Sequence, residues 1–64
     1  MDDKSTANMA VLAGEIMLKS GAETYRVEDT IKHILDTAGT AETEALVMLS
    51  GIIVTIDRPG EEAV

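Results

Sequence analysis

The 64-residue chain contains no cysteine, no phenylalanine and no tryptophan, and it has one histidine and one proline. Without cysteine and with a single histidine, neither disulfide bonds nor a tetrahedral zinc site can stabilise the fold. The core must therefore be built from Ile, Leu, Val, Met and Ala, which bury less area per residue than aromatic rings do. A core of this kind is only marginally stabilising at this length, so we expect further stability from self-association or from additional chain.

Basic residues are scarce as well, because 5 Lys and Arg stand against 12 Asp and Glu, and the net charge is −7. A nucleic-acid partner needs a basic surface, so this balance excludes one, and it disfavours binding to anionic lipid head groups. The longest stretch without a charged residue covers residues 45–56, whereas a membrane-spanning helix needs about 20 apolar residues. We therefore expect a soluble chain without a spanning segment.

Helical periodicity predicts a first helix over residues 6–20, with Ser5 or Thr6 as its N-cap. Its apolar residues form two stripes on nearly opposite sides. These stripes are Met9, Leu12, Ala13, Ile16 and Met17 on one side, and Ala7, Val11, Gly14 and Leu18 on the other. A helix that is apolar almost all round is normally buried almost all round, and two helices with a hairpin cannot enclose it. Gly14 predicts that another backbone approaches this helix closely.

A second helix is predicted over residues 23–38, and its pattern is simpler. Its one apolar stripe consists of Val27, Ile31, Ile34, Leu35 and Ala38. Gly21 and Gly39 stand where the glycines that end the two helices are expected. The N-cap of the second helix stays open between Ser20, which has capping-box spacing, and Thr24.

Two short runs rich in Ile and Val, residues 43–49 and 52–57, predict an antiparallel β-hairpin joined by a Ser50-Gly51 turn. The fold class is therefore α+β, with two helices followed by the hairpin. We expect the stripe of the second helix to cover one face of the hairpin, whereas the other face also needs cover because neither strand alternates well. Residues 61–64 form no capping element, which predicts that the chain is one partial domain of something larger.

A cluster of polar residues at the start of the second helix is the best candidate for a functional site. Tyr25 points away from the apolar stripe and is accompanied by Glu23, Arg26 and Glu28. One interpretation is a capped helix start with surface ion pairs from Arg26 to Glu23 and Asp29. The other is a site that binds a polar ligand or contacts a neighbouring domain, since arginine suits carboxylates. We predict a site of Tyr25, Arg26 and Glu28 with Glu23 as support.

Catalysis has little support in this sequence. A small hydrolase could use Glu28, Asp29 and His33, but no nucleophile motif and no phosphate-binding loop accompanies them. Acidic pairs such as Glu42 and Glu44 are more often solubilising than metal-binding. We therefore predict no enzyme activity, no metal and no cofactor.

The centre of the chain resembles a known family. The resemblance is carried by Ala13-Gly14, Leu18, the run Ser20-Gly21-Ala22-Glu23-Thr24-Tyr25-Arg26-Val27-Glu28, and Thr30. This pattern, over about residues 9–56, is similar to the N-terminal domain of the threonine/serine exporter-like family. Members of that family often have a proline-containing turn where this chain reads Met48-Leu49-Ser50-Gly51.

The resemblance implies a cytoplasmic domain that precedes a bundle of transmembrane helices. It also implies the export of small metabolites, which are threonine and serine in the founding members and dicarboxylates in some relatives. On this interpretation the chain lies at the cytoplasmic face of the cell membrane and has an accessory or gating role. Its partners are then the transmembrane remainder of its own chain or a partner membrane subunit.

The alternative interpretation is a free-standing acidic module that oligomerises through the first helix and the hairpin. In either case we expect the chain to self-associate, through Val11, Leu18 or the open edge of the hairpin, because exposed apolar patches and unpaired strand edges promote pairing. We favour a structural or gating contact at Tyr25 and Arg26 over direct substrate binding, since so short a chain cannot enclose a pocket.

Overall fold

The computed structural model describes residues 2–39 and 41–60 and confirms the predicted order of two helices and a hairpin. Its elements are α1 (Asp3–Lys19), α2 (Thr24–Asp36), β1 (Glu42–Met48) and β2 (Gly51–Asp57). The strands form a two-stranded antiparallel sheet, and both helices pack on one face of it. The prediction made for residues 61–64 lies outside the described residues.

Helix α1 begins three residues earlier than its pattern predicts. Its N-cap is Asp2, whose carboxylate accepts a hydrogen bond from the Ser5 backbone N–H over 2.7 Å, so the expected caps Ser5 and Thr6 are wrong. Thr6 is instead buried within the first turn and donates its hydroxyl to the Asp2 carbonyl. The earlier start brings Asp3 into the helix, where it is held by a residue far away in the chain.

The turn between the helices is set by Gly21. This residue has a φ of 88°, and the N–H groups of Gly21 and Ala22 donate to the carbonyls of Leu18 and Met17. That pair of bonds is the Schellman motif, which favours glycine because an L side chain is strained at positive φ. Helix α2 then starts after Glu23, which makes no side-chain capping hydrogen bond. Neither Ser20 nor Thr24 is therefore the cap.

The far end of α2 also differs from its prediction. The helix ends at Asp36 with Thr37 as C-cap, two residues before the expected end. Gly39 has a positive φ of 80°, but it lies beyond the position next to the cap. The Thr37 hydroxyl donates to the Ile34 carbonyl over 2.7 Å, which satisfies one of the last carbonyls and favours the earlier end.

The hairpin turn is displaced by one residue. Met48 pairs with Gly51, so the two connecting residues are Leu49 and Ser50 and not Ser50-Gly51. A Ser-Gly turn of the expected type needs a positive φ at the glycine, and Gly51 does not have one. As a result Leu49 leaves the strand and stands at the tip with 88% of its surface exposed.

The core forms where α2 lies on the hairpin, as predicted. Its buried apolar residues are Ala7, Ala10, Val27, Ile31, Leu35, Val47 and Ile56. Of the two strands, Val47 and Ile56 face the helices, while Leu46 and Ile53 face the other way and are exposed. One face of the hairpin is therefore covered and the other is open.

Helix α1 turns its smaller residues inward. Ala7, Ala10 and Gly14 are buried, whereas Met9, Leu12 and Ile16 are exposed. The reason is close packing: a Cβ atom at Gly14 would lie 2.6 Å from Cδ1 of Ile31 and 2.7 Å from Cδ1 of Ile52. The close approach expected at Gly14 is thus made by two side chains and not by a backbone.

An arginine joins the ends of three elements. The guanidinium of Arg58, just after β2, binds both carboxylate oxygens of Asp3, over 2.6 and 3.0 Å, and also donates to the Ala38 carbonyl. Asp3 and Arg58 keep only 22% and 30% of their side chains exposed. This bidentate ion pair holds the elements together at the end of the molecule opposite the turn between α1 and α2.

Candidate functional site at the start of helix α2

An open groove lies where α1 ends and α2 begins. It has a volume of about 520 Å³ and combines residues from the last turn of α1, the connecting turn and the first two turns of α2. Its lining residues are Met17, Gly21, Ala22, Glu23, Tyr25, Arg26, Asp29 and Thr30. Three of the four residues predicted for the site, Glu23, Tyr25 and Arg26, therefore share one surface.

Tyr25 is held in an exposed position by the register of α2. Two residues later Val27 is fully buried against the hairpin, and residues two apart on a helix point to different sides. The Tyr25 ring consequently projects outward with 61% of its surface exposed. A tyrosine normally buries its ring and keeps its hydroxyl in a hydrogen bond, so this ring is available for a partner surface.

Arg26 is exposed beside Tyr25, and within residues 2–39 and 41–60 it makes no ion pair and no side-chain hydrogen bond. The surface ion pairs expected with Glu23 and Asp29 are therefore not formed, although both acids line the same groove. The groove thus presents one cation with an unused hydrogen-bonding fork and two carboxylates. Such a set can bind a partner that carries both acidic and basic or hydroxyl groups.

Glu28 is separated from the other predicted site residues. It lines a second open groove, of about 570 Å³, that runs along the flank of α2 and the outer side of the hairpin. Lys32, which lies one turn further along, donates to the carbonyl and hydroxyl of Thr43 over 2.7 and 3.0 Å. Lys32 therefore anchors α2 to β1 and forms no i,i+4 ion pair with Glu28.

Several groove residues escape the sequence pattern. Met17, Gly21 and Ala22 belong to the end of α1 and its turn, and Thr30 lies one turn after Arg26. Asp29 was predicted only as an ion-pair partner of Arg26. The spacing of Asp29 one turn after Tyr25 would have indicated a shared face. The contribution of Met17 depends on how α1 and α2 cross, which the sequence alone does not give.

Two carboxylates at the start of α1 have lowered pKa values. The pKa of Asp2 is lowered from its ordinary value of 3.8 by the hydrogen bond from the Ser5 backbone N–H. The pKa of Asp3 is lowered from the same value by its hydrogen bonds from Arg58. In both cases the hydrogen bonds stabilise the charged carboxylate, so their contribution to folding is lost when the carboxylate is protonated at low pH.

Catalytic and metal-binding arrangements are not apparent in the described part of the chain. No three His, Asp or Glu side chains among those residues lie together in a way that could hold a metal ion. His33 makes no side-chain hydrogen bond there to Asp29, so the triad of the hydrolase hypothesis is not assembled.

A protein-family model matches residues 8–64, which is most of the chain. That family, ThrE, carries the description "Putative threonine/serine exporter", and the chain belongs to it. The resemblance found in the sequence is thereby confirmed. Comparisons with curated proteins and with solved structures gave no significant match.

Membership defines the chain as part of a transporter family, with a role related to threonine and serine export, and this family is not an enzyme family. A transporter family implies association with a membrane. Neither helix in the described residues is both long and apolar enough to cross one.

Proposed function

We propose that this chain is the cytoplasmic accessory domain of a membrane transporter that exports threonine, serine and similar small metabolites. In this role it does not form the transport path. It contacts the transmembrane part of the transporter, either the remainder of its own chain or a partner membrane subunit, and gates transport through that contact.

The observation that carries this proposal is the pairing of an exposed Tyr25 with an Arg26 that has no partner in the described residues. Tyrosine and arginine side chains are enriched at the centre of protein interfaces. The groove that they line is open to solvent, whereas sites that recognise small molecules bury most of the ligand. A contact with another protein surface therefore suits this groove better than direct binding of an amino acid.

The net charge of −7 supports the cytoplasmic placement. An acidic surface is repelled by the anionic lipids of the cytoplasmic leaflet, but it can face the Lys- and Arg-rich loops that membrane proteins present on that side. The domain would then be held by protein contacts and not by lipid.

Export assays on the full-length protein with Arg26→Ala test the proposal. We expect threonine export to be lost, while the free energy of unfolding of residues 1–64 changes by no more than about 0.5 kcal/mol, because the side chain is exposed. Lys19→Ala removes an exposed cation outside the groove and should leave export unchanged. A loss of several kcal/mol in the isolated chain would instead make Arg26 a residue of the fold.

The dependence of export on substrate concentration separates gating from substrate binding. A gating contact predicts that Tyr25→Ala lowers the maximal rate of export and leaves the half-saturating concentration of threonine unchanged. Direct binding predicts a raised half-saturating concentration. Glu28 lies in the other groove, and Glu28→Ala measured in the same assay shows whether that predicted residue belongs to the gating contact.

A further inference from the structure

The acidic and apolar residues of the open hairpin face are separated along its length. We call it the outer hairpin face, and it consists of the outward residues of both strands, Glu42, Glu44, Leu46, Met48, Ile53, Thr55 and Asp57. The strand register places Glu42 opposite Asp57 at the open end and Leu46 opposite Ile53 near the turn. The face is therefore acidic at one end and apolar at the other.

Among residues 2–39 and 41–60, neither Glu42 nor Asp57 at the acidic end forms an ion pair. Glu42 and Asp57 are directly opposite each other, where like charges destabilise a strand pair, and together with Pro59 they line an open hollow of about 210 Å³. Of the two cations nearest in the sequence, Arg58 binds Asp3. Lys32 borders the middle of the face, in the groove that Glu44 and Leu46 also line, and donates to Thr43. The fold thus keeps an unfavourable pair of acids beside a space that a cationic side chain would fit.

From these observations we propose that the outer hairpin face docks a cationic amphipathic helix of another protein segment. Its apolar residues would cover Leu46 and Ile53, and a Lys or Arg would enter the hollow between Glu42 and Asp57. This surface is distinct from the groove at the start of α2, and the inference does not depend on the proposed transport function.

The dimensions of the face set the spacing of the partner. A strand rises about 3.4 Å per residue, so the apolar pair and the acidic pair, four residues apart, are separated by about 14 Å. A helix rises about 1.5 Å per residue, so this distance corresponds to about nine residues, but a residue nine positions away lies on the opposite side of the helix. The basic residue must therefore stand about 7 or 11 residues from the apolar anchors, positions that return to the same face, and its long side chain covers the remaining distance of about 3 Å.

A second copy of the chain suits this face poorly. If two faces met in parallel, Glu42 and Asp57 would oppose their own copies. If they met antiparallel, the acids would be buried against Met48 and Leu49 without a counter-charge, which is costly. Anionic lipid is disfavoured by the same acids. Charge complementarity therefore selects a cationic helix.

A synthetic peptide provides the probe. It is an 18-residue helix of Ala, Gln and Leu with two lysines placed about 7 and 11 residues from a leucine anchor, on the same face, and in the control peptide both lysines are glutamate. Titration against the 64-residue chain by calorimetry should show binding of the lysine peptide, weakened by salt, and no binding of the glutamate peptide. If the two peptides bind alike, or neither binds, the proposal is wrong.

Paired variants of the chain locate the binding. Asp57→Lys and Ile53→Ser should each weaken binding of the lysine peptide by about tenfold or more, as expected for central interface residues. Glu15→Lys changes the charge equally on α1, and Leu12→Ser removes an apolar residue that is 58% exposed, as Ile53 is. Both controls should keep the affinity within about twofold, and circular dichroism should show that all four variants are folded.

Three outcomes would overturn the inference. Equal weakening by Leu12→Ser or Glu15→Lys would place the peptide elsewhere. A dimer in sedimentation that Ile53→Ser dissociates would assign the face to a second copy. Binding to vesicles of phosphatidylcholine and phosphatidylserine that Ile53→Ser abolishes would assign it to a membrane.

Discussion

At the scale of single residues, side-chain size decides which side of α1 faces inward. Both stripes of this helix are apolar, so periodicity cannot choose between them. The choice follows from the space beside α2, where Gly14 admits Ile31 and Ile52 at distances that a Cβ atom would not allow. The larger residues Met9, Leu12 and Ile16 are left outside, and no local pattern in the sequence indicates this.

Gly14→Ala tests this packing because two effects oppose each other in sign. Helix propensity alone predicts that Ala raises the free energy of unfolding by about 1 kcal/mol. Overpacking against the fully buried Ile31 should cost about 1–3 kcal/mol, so we expect a net loss of about 1 kcal/mol in urea unfolding. Gly51→Ala is the control, because an added Cβ there meets no atom within 4 Å. A stabilised Gly14→Ala protein would contradict the packing.

Part of the candidate site can also be predicted from single residues. The exposure of Tyr25 follows from the inward position of Val27, and its neighbours Glu23 and Arg26 follow from their place in the sequence. The separation of Glu28 from this cluster cannot be predicted in the same way, because it depends on the hairpin lying against that flank of α2. The sequence thus identified the cluster, while the division into two grooves needed the tertiary structure.

At the scale of helices and strands, the predictable elements are those with one apolar side. Helix α2 has a single stripe, and its residues form the centre of the core as expected. The ends were less predictable. Helix α1 starts early because Asp2 caps it, and an acidic cap is a local signal that competed with Ser5 and Thr6. The contact of Asp3 with Arg58, 55 residues further along the chain, leaves no local signal. The hairpin turn lies one residue earlier than predicted, because Gly51 pairs with Met48 as the first residue of β2.

The contact between α1 and the end of β2 predicts how stability depends on pH. The folded-state pKa of Asp3 is lowered by the hydrogen bonds from Arg58, so the folded chain holds fewer protons there than the unfolded chain. The stabilisation is complete above the ordinary pKa and is lost as pH falls through the lowered value. We expect the urea midpoint to fall between about pH 5 and pH 2, and to fall less steeply in Asp3→Asn.

Arg58→Met is the matched variant, since it removes the other partner of the same hydrogen bonds. It should reduce the acid dependence by about as much as Asp3→Asn, and the double variant should reduce it no further. If Arg58→Met kept the full acid dependence of the unmodified chain, Arg58 would not be the cause of the lowered Asp3 pKa.

At the scale of the whole molecule, apolar surface is left open on the hairpin, as expected, and on a side of α1 that was not expected. Leu18 packs against the core and Val11 is half-buried, so both offer less apolar surface to a second copy than the exposed residues of α1 do. The exposed stripe of Met9, Leu12 and Ile16 is the surface that remains on α1. Glu15 and Lys19 flank this stripe, so opposite charges can face each other when two copies meet there.

Sedimentation of the 64-residue chain tests self-association through this stripe. We propose that the average mass rises with concentration, because an exposed apolar stripe on a helix is buried by pairing. Leu12→Ser should shift the association to concentrations higher by about tenfold. Lys4→Ser, an exposed change outside the stripe, is the control. A folded monomer at every concentration would contradict this proposal and with it the alternative of a free-standing oligomeric module.

We propose that the groove at the start of α2 contacts the membrane part of a transporter, and cross-linking tests this contact. A photoreactive phenylalanine analogue is placed at Tyr25 of the full-length protein in intact cells, and the cross-linked peptides are identified by mass spectrometry. We expect links to the transmembrane region of the same chain or of its partner subunit. The analogue at His33, an exposed position of α2 that does not line this groove, should give few or none. Absence of such links at Tyr25, with the domain folded and export intact, would contradict the claim.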